Sequence, residues 1–249
     1  MLTGAARGIG RVTALLLAER GAKVGLVDRD GAGAEKVVEE IRAAGGTAAA
    51  TTTDVSDPEQ VQQAVTDLSA ELGTINALVV NHTLHPCGTV LGTSPEEWEH
   101  SLSVNLMGTF LCARAVLPAM TAGEGGVIVG LGSDCVIRSC RGSAAYVASK
   151  AGIAGLIRSI AVDHGPEGVR GVIVTPGPTR TPGLEEVFSG ERDLDSSIQR
   201  ASGDSPLGRI GEARDVAEMV AFAISSRAGF VNGAELVVDG GLTLAYSGD

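Results

Sequence analysis

Short apolar runs alternate with longer segments whose apolar residues recur every three or four positions. Runs of four to eight residues bounded by Gly, Asp or Thr fit buried strands, and the longer spacing fits helices packed on one side. The runs fall at Lys23–Asp28, 47–53, 75–80, 127–131, 169–175 and 234–238. Between them lie helical segments at 11–20, closed by Gly21, and at 31–44, stopped by Gly45-Gly46. Asp57-Pro58 opens a helix to about Leu72, and Ser94-Pro95-Glu96-Glu97, with capping-box spacing, opens one to about Met120. A helix through Tyr146 reaches about His164, and the last covers 212–225. Strands alternating with helices in this way predict an α/β fold, a doubly wound parallel sheet with helices on both faces. Residues 178–208, rich in Gly, Pro, Ser and charge, read as a substrate flap. No linker or repeat divides residues 1–249, so one domain is expected.

Composition narrows the partners. With 35 Gly and only 9 Pro in 249 residues, the glycines point to tight turns and close backbone approaches. A net charge of −11 without a Lys/Arg cluster repels phosphate backbones, so nucleic acid is not expected as a partner. No apolar run approaches the ~18 residues of a membrane span, and a membrane is not expected either. The four cysteines show no Cys-x-x-Cys spacing, which fits reduced thiols in a cytoplasmic protein. No metal site is expected, although His82 and His85 stand three apart.

Two constellations carry chemistry. Gly4, Gly8 and Gly10 sit where a strand passes into a helix, the place where backbone N–H groups receive a pyrophosphate. Asp28 closes the next strand, and a carboxylate there accepts from ribose hydroxyls and repels a 2′-phosphate, favouring NAD over NADP. Arg7 and Arg29 argue the other way, since either can meet a phosphate. The second constellation is Tyr146 and Lys150, four apart on one helix face, with Ser133 as a possible hydrogen-bonding partner. A cation beside a phenol favours the phenolate, making a proton-transfer unit.

Together these pieces resemble the short-chain dehydrogenase/reductase family over nearly the whole chain. Thr3-Gly4-x-x-x-Gly8-Ile9-Gly10 is similar to its cofactor motif, and Asp54-Val55 to its adenine-binding segment. Asn81 and Asn105 match family asparagines, and Ser133 with Tyr146-x-x-x-Lys150 matches the catalytic spacing. Pro176-Gly177 followed by Thr181 resembles the segment that holds the nicotinamide carboxamide. The resemblance implies a sheet ordered 3-2-1-4-5-6-7 and hydride transfer between a nicotinamide and a secondary alcohol or ketone. It implies Tyr146 as general acid/base, Lys150 lowering its pKa, Ser133 on the substrate oxygen and Asn105 fixing a water. It also implies a homotetramer or homodimer.

The chain departs from the family in three places. Only Met1 and Leu2 precede Thr3, where the family has a whole strand; the first strand is expected to be truncated, with Met1 an internal methionine. The family's Asn-Asn-Ala-Gly is Val80-Asn81-His82-Thr83 here, which is open to local drift, to His82 or His85 facing substrate, or to weakened cofactor binding. Gly171-Val172 stands where the family often has Val-Asn. Leu184, Val187, Phe188, Arg180 and Arg192 are candidate flap contacts, and Cys135 and Cys140 read as substrate-edge residues, not redox centres. A 3-oxoacyl thioester, a sugar or polyol, and a cyclic alcohol all remain open as substrates. The alternative reading is a catalytically weak or inactive cofactor-binding scaffold on the same fold.

Overall fold

Each apolar run becomes a strand of one sheet in the computed structural model, which describes residues 1–188 and 194–245. The strands are β1 (Leu2–Thr3), β2 (Lys23–Asp28), β3 (Thr47–Thr52), β4 (Ala77–Val80), β5 (Gly126–Leu131), β6 (Val169–Pro176) and β7 (Glu235–Val238). Their order is β3-β2-β1-β4-β5-β6-β7, and every pairing is parallel. Alternate residues of a strand point to opposite faces, and here both faces are apolar. In β5, Val127, Val129 and Leu131 face α1 (Gly8–Glu19) and α10 (Ala213–Ile224), while Ile128 faces α5 (Gly108–Ala122) and α7 (Ala144–Asp163).

Two glycines set how closely α7 lies on the sheet. A Cβ on Gly130 would sit 3.0 Å from Ile157 Cγ1, and one on Gly171 would sit 2.4 Å from the Ile157 carbonyl oxygen. The small residue at 171, a departure in the sequence, therefore lets α7 press on β6. Ile153 and Ile157 fill the contact and are fully buried; truncating either to Ala costs roughly 2–5 kcal/mol.

The remaining helices are α2 (Gly31–Ala43), α3 (Pro58–Leu72), α4 (Pro95–Leu102), α6 (Asp134–Arg138), α8 (Pro182–Phe188) and α9 (Leu194–Gly203). Ser94 and Glu97 form the expected capping box at α4. The helix expected over 94–120 is broken by one π-helical stretch, Ser103–Met107, between α4 and α5. By length and composition, Pro95–Ala122 and Ala144–Asp163 are apolar enough to cross a membrane, contrary to the expectation from apolar runs. In this fold their buried residues pack with the sheet as core.

The 178–208 segment is more regular than its composition suggested: α8 and α9 occupy most of it, and Thr179–Arg180 pairs with Gly211–Glu212. Arg192 and the side chains of Val187 and Phe188 lie outside the described residues.

The first strand is short. β1 pairs only Leu2 and Thr3 with Leu26 and Val27, and Leu2 with Val79. Beyond it, a cavity of about 370 Å³ opens between β2 and β4, lined by Met1, Val24, Gly25, Ile75 and Ala77.

Candidate active site

The carboxyl ends of β1, β2, β4, β5 and β6 open onto one crevice, where parallel α/β sheets place their ligands. On one side lies the glycine loop. Gly4 and Gly8 have φ of +63° and +57°, left-handed values that a side chain adopts only at a cost. A Cβ on Gly10 would sit 1.9 Å from the Gly4 carbonyl oxygen, so no other residue fits. Arg7 precedes α1 without a side-chain cap, and among the described residues no side chain accepts from the first-turn N–H groups at the positive end of the helix dipole. Ile9 packs against the core beneath them. The Asn81 amide donates to the Gly4 carbonyl (2.7 Å), and the Ala6 N–H donates to Asp28 Oδ2 (2.9 Å). The loop is thus tied to the ends of β4 and β2 at once.

The neighbouring expectations take definite places. Asp54 accepts from the Ser56 hydroxyl and N–H, which hold its carboxyl below the usual range, and Val55 is buried against Gly108. Arg29 is exposed beyond β2. Pro176 ends β6, and Gly177 abuts Asp239, which a Cβ at 177 would approach to 2.8 Å. Thr181 accepts from the Leu184 N–H (3.2 Å) at the start of α8 and lies beside Gly8. Arg7 pairs with Glu186 of α8, joining the glycine loop to the flap. These features fit a dinucleotide: a cradle that side chains would fill, an uncapped helix start, and a carboxylate at the end of β2.

On the other side lie Ser133, Tyr146 and Lys150. Ser133 caps α6 by accepting from the Cys135 N–H (3.2 Å) and favours the ionised form of the Tyr146 phenol. The buried Lys150 ammonium donates to the Leu131 carbonyl (2.9 Å) and stands 5.8 Å from the Tyr146 ring centroid. Burial lowers the Lys150 pKa to about 8. The phenol does not show the lowering expected from Lys150: burial of the ring raises its pKa, and only Ser133 opposes this, with Asp134 adding to the rise. Asp134 is itself buried and raised by burial, with Arg138 (3.3 Å) as its counter-ion.

Asn105 lies in the π-helical stretch, fully buried. Its amide donates to the Leu84 carbonyl (2.8 Å) and Ser149 Oγ (2.9 Å), and its Oδ1 accepts from the Leu84 N–H (2.7 Å). The Asn105 side chain is therefore occupied in holding the loop after β4 against α7.

The altered segment after Asn81 separates its two histidines. His82 turns inward, with Nδ1 2.8 Å from Thr3 Oγ1, and burial lowers its pKa to about 4. Thr3 Oγ1 already accepts from the N–H groups of Asn81 and His82, so the network assigns its proton to Nδ1 and the ring proton to Nε2. The carbonyls of Val104 and Asn105 lie near the ring without giving Nε2 a hydrogen bond. His85 instead reaches the cleft and stacks on Tyr146. Cys135 and Cys140 form a disulfide across α6, overturning the reduced-thiol expectation for this pair; Cys87 and Cys112 are free. The turn of α6 brings their Cα atoms to 5.0 Å, which the spacing alone did not reveal.

A seven-stranded parallel sheet with a glycine loop on one side of its crevice and a Tyr–Lys pair on the other defines a dinucleotide-binding oxidoreductase. The family described as enoyl-(acyl carrier protein) reductase matches residues 4–243. The chain is 37% identical to cis-4-hydroxycyclohexanecarboxylate dehydrogenase of Sinomonas cyclohexanicum, over 98% of this chain and 95% of that protein. It is 35% identical to cyclohexanol dehydrogenase of Acinetobacter sp. (strain SE19), over 98% and 94%. The crystal structure of levodione reductase superposes with a TM-score of 0.94 at 32% identity, covering 98% of this chain and 97% of that one. The chain belongs to the short-chain dehydrogenase/reductase family. It is an oxidoreductase acting on CH–OH donors with a nicotinamide cofactor.

Proposed function

We propose that the protein interconverts a small cyclic secondary alcohol and its ketone, with NAD preferred over NADP. The observation that carries the reading is the convergence of Ser133, Tyr146 and Lys150 in the crevice that the glycine loop borders. Gly4, Gly8, Ile9 and Gly10 would receive the pyrophosphate at the start of α1, with Arg7 beside it, and Asp28 the adenosine ribose. Asp54, Val55, Arg29 and Asn81 would border the adenosine half, and Pro176, Gly177 and Thr181 the carboxamide. The bound nicotinamide supplies the hydride acceptor or donor.

The chain's own residues handle the proton. Ser133 hydrogen-bonds the substrate oxygen and Tyr146 takes or returns its proton. Lys150, largely protonated at neutral pH with a pKa of about 8, would hold the nicotinamide ribose, while Ser133 opposes the rise that burial gives the phenol. Asn105 would hold a water for Lys150 through its main chain, its amide being engaged elsewhere. Relatives named for cyclic alcohols support the substrate class, and 3% aromatic content disfavours a stacked-ring pocket. Exposed Met107 and Phe110 offer apolar surface for a homo-oligomer.

The test is NADH absorbance over a panel of cyclic alcohols and ketones. Turnover is expected with cyclohexanol-type substrates, lost about 10²–10⁴-fold in Tyr146→Phe. Oxidation needs the phenolate, so its rate should rise with pH while ketone reduction falls. A Tyr146→Phe enzyme as active as the parent sinks the mechanism, and a wild type that prefers NADP sinks the cofactor reading.

A further inference from the structure

The loop after β4 is pinned at both ends. Asn105 binds Leu84 through both its N–H and its carbonyl (2.7 and 2.8 Å). Four residues on, the Gly88 N–H donates to the Gly142 carbonyl (2.7 Å), and the Gly88 carbonyl accepts from the Ala144 N–H (3.1 Å). Between the pins His85 lies flat on Tyr146, with ring centroids 3.8 Å apart and planes inclined by 15°. Its Nε2 stands 3.0 Å from Ser143 Oγ, on the residue that precedes α7. Aromatic contacts of this geometry are directional and contribute about 0.5–1.5 kcal/mol beyond the area they cover.

We infer that His85 is a positioning residue for Tyr146: its imidazole, tied to Ser143, fixes the angle of the phenol ring and walls one face of it from water. The inference rests on Tyr146 being the acid–base group. Rotation about the Tyr146 Cα–Cβ bond swings the phenol oxygen through a wide arc, and proton transfer tolerates little displacement. His85 closes one ring face, so the oxygen stays directed at Ser133. Burial and the Lys150 charge both lower the His85 pKa, so the imidazole stacks as a neutral ring.

The groups that face the phenol are Ser133 and Asp134 at the start of α6, Lys150 on its own helix, and His85. Ring burial and Asp134 raise the phenol pKa, while Ser133 lowers it. Removing His85 admits water to the ring and so must move the phenol pKa down.

The chain has two tyrosines, so a Tyr246→Phe background leaves Tyr146 as the sole phenol. In that background, His85→Ala and His85→Phe are compared by phenolate absorbance without cofactor, and by kcat and KM against pH. His85→Ala should move the phenolate midpoint to lower pH and reduce kcat about tenfold with little change in KM. His85→Phe keeps the stack, loses the Ser143 bond, and should restore most of both. A His85→Ala enzyme that titrates and turns over like its parent overturns the inference. So does a His85→Phe enzyme as impaired as His85→Ala, which would make His85 an anchor for the loop. The titration needs no turnover, so a failure of the acid–base reading, seen in Tyr146→Phe, is read separately.

Discussion

His82 replaces a small family residue with a buried imidazole, and its cost is set by pH. The folded ring takes a proton only near pH 4, whereas an unfolded histidine does so near 6.5. Above pH 6.5 both states are neutral and the full stability is present. As pH falls below that, the unfolded chain binds a proton the folded one refuses, and stability is lost until about pH 4. Linkage across that window gives roughly 2 kcal/mol lost between pH 7 and pH 5, towards a limit of about 3 kcal/mol. His85 is shifted in the same direction, so the contribution is isolated by difference. Urea midpoints measured from pH 4 to 8 on wild type and His82→Ala should converge as pH falls, because the variant lacks the penalty. Two parallel curves would refute the assignment of His82 as a neutral, desolvated ring.

The other predictions concern the loops around the crevice. Gly10→Ala drives a methyl onto the Gly4 carbonyl and should weaken NADH binding at least tenfold, read by dinucleotide fluorescence titration. Denatured without reductant, the chain should show two thiols, Cys87 and Cys112, and four after reduction; four at the outset would remove the cross-link. Asn105→Ala leaves the Leu84 backbone groups unpaired, costing about 1–3 kcal/mol by thermal or urea unfolding. Asp28→Ala should narrow the proposed preference for NAD over NADP in kcat/KM, and an unchanged ratio would take that role from Asp28.

How much of this was legible in the chain depends on the range of the interactions concerned. Strands β2 to β7 were visible because a strand buried on both faces is largely apolar, as in Gly126–Leu131. The capping box at Ser94 and the glycine loop were visible because each is local chemistry at fixed spacing. The π-helical stretch left no trace, since one extra residue within an apolar helical pattern does not alter its local composition, and the partner of Asn105, Leu84, is 21 residues away. The helix α6 is five residues long, too short to show a period, and the cross-link it permits was hidden with it. Flap helices α8 and α9 were masked by Gly, Pro and Ser. His85 was one of two candidates for the cleft; only the partner 58 residues away, Ser143, and the Tyr146 ring separate it from His82.

The π-helical stretch at Ser103–Met107 also acts as a phase shifter. Hydrogen bonds to the fifth residue insert one extra position into what is otherwise a single 28-residue rod, Pro95–Ala122. The two halves are thereby rotated relative to each other by about 100°, the angle of one residue. The first half keeps the register that faces α7 and the second keeps the register that faces the sheet, with Asn105 at the seam. Deleting a single residue there would leave both halves helical yet out of phase, with Asn105 turned away from Leu84. The geometry of the crevice is therefore encoded partly in a count of residues, which no single side-chain substitution can alter.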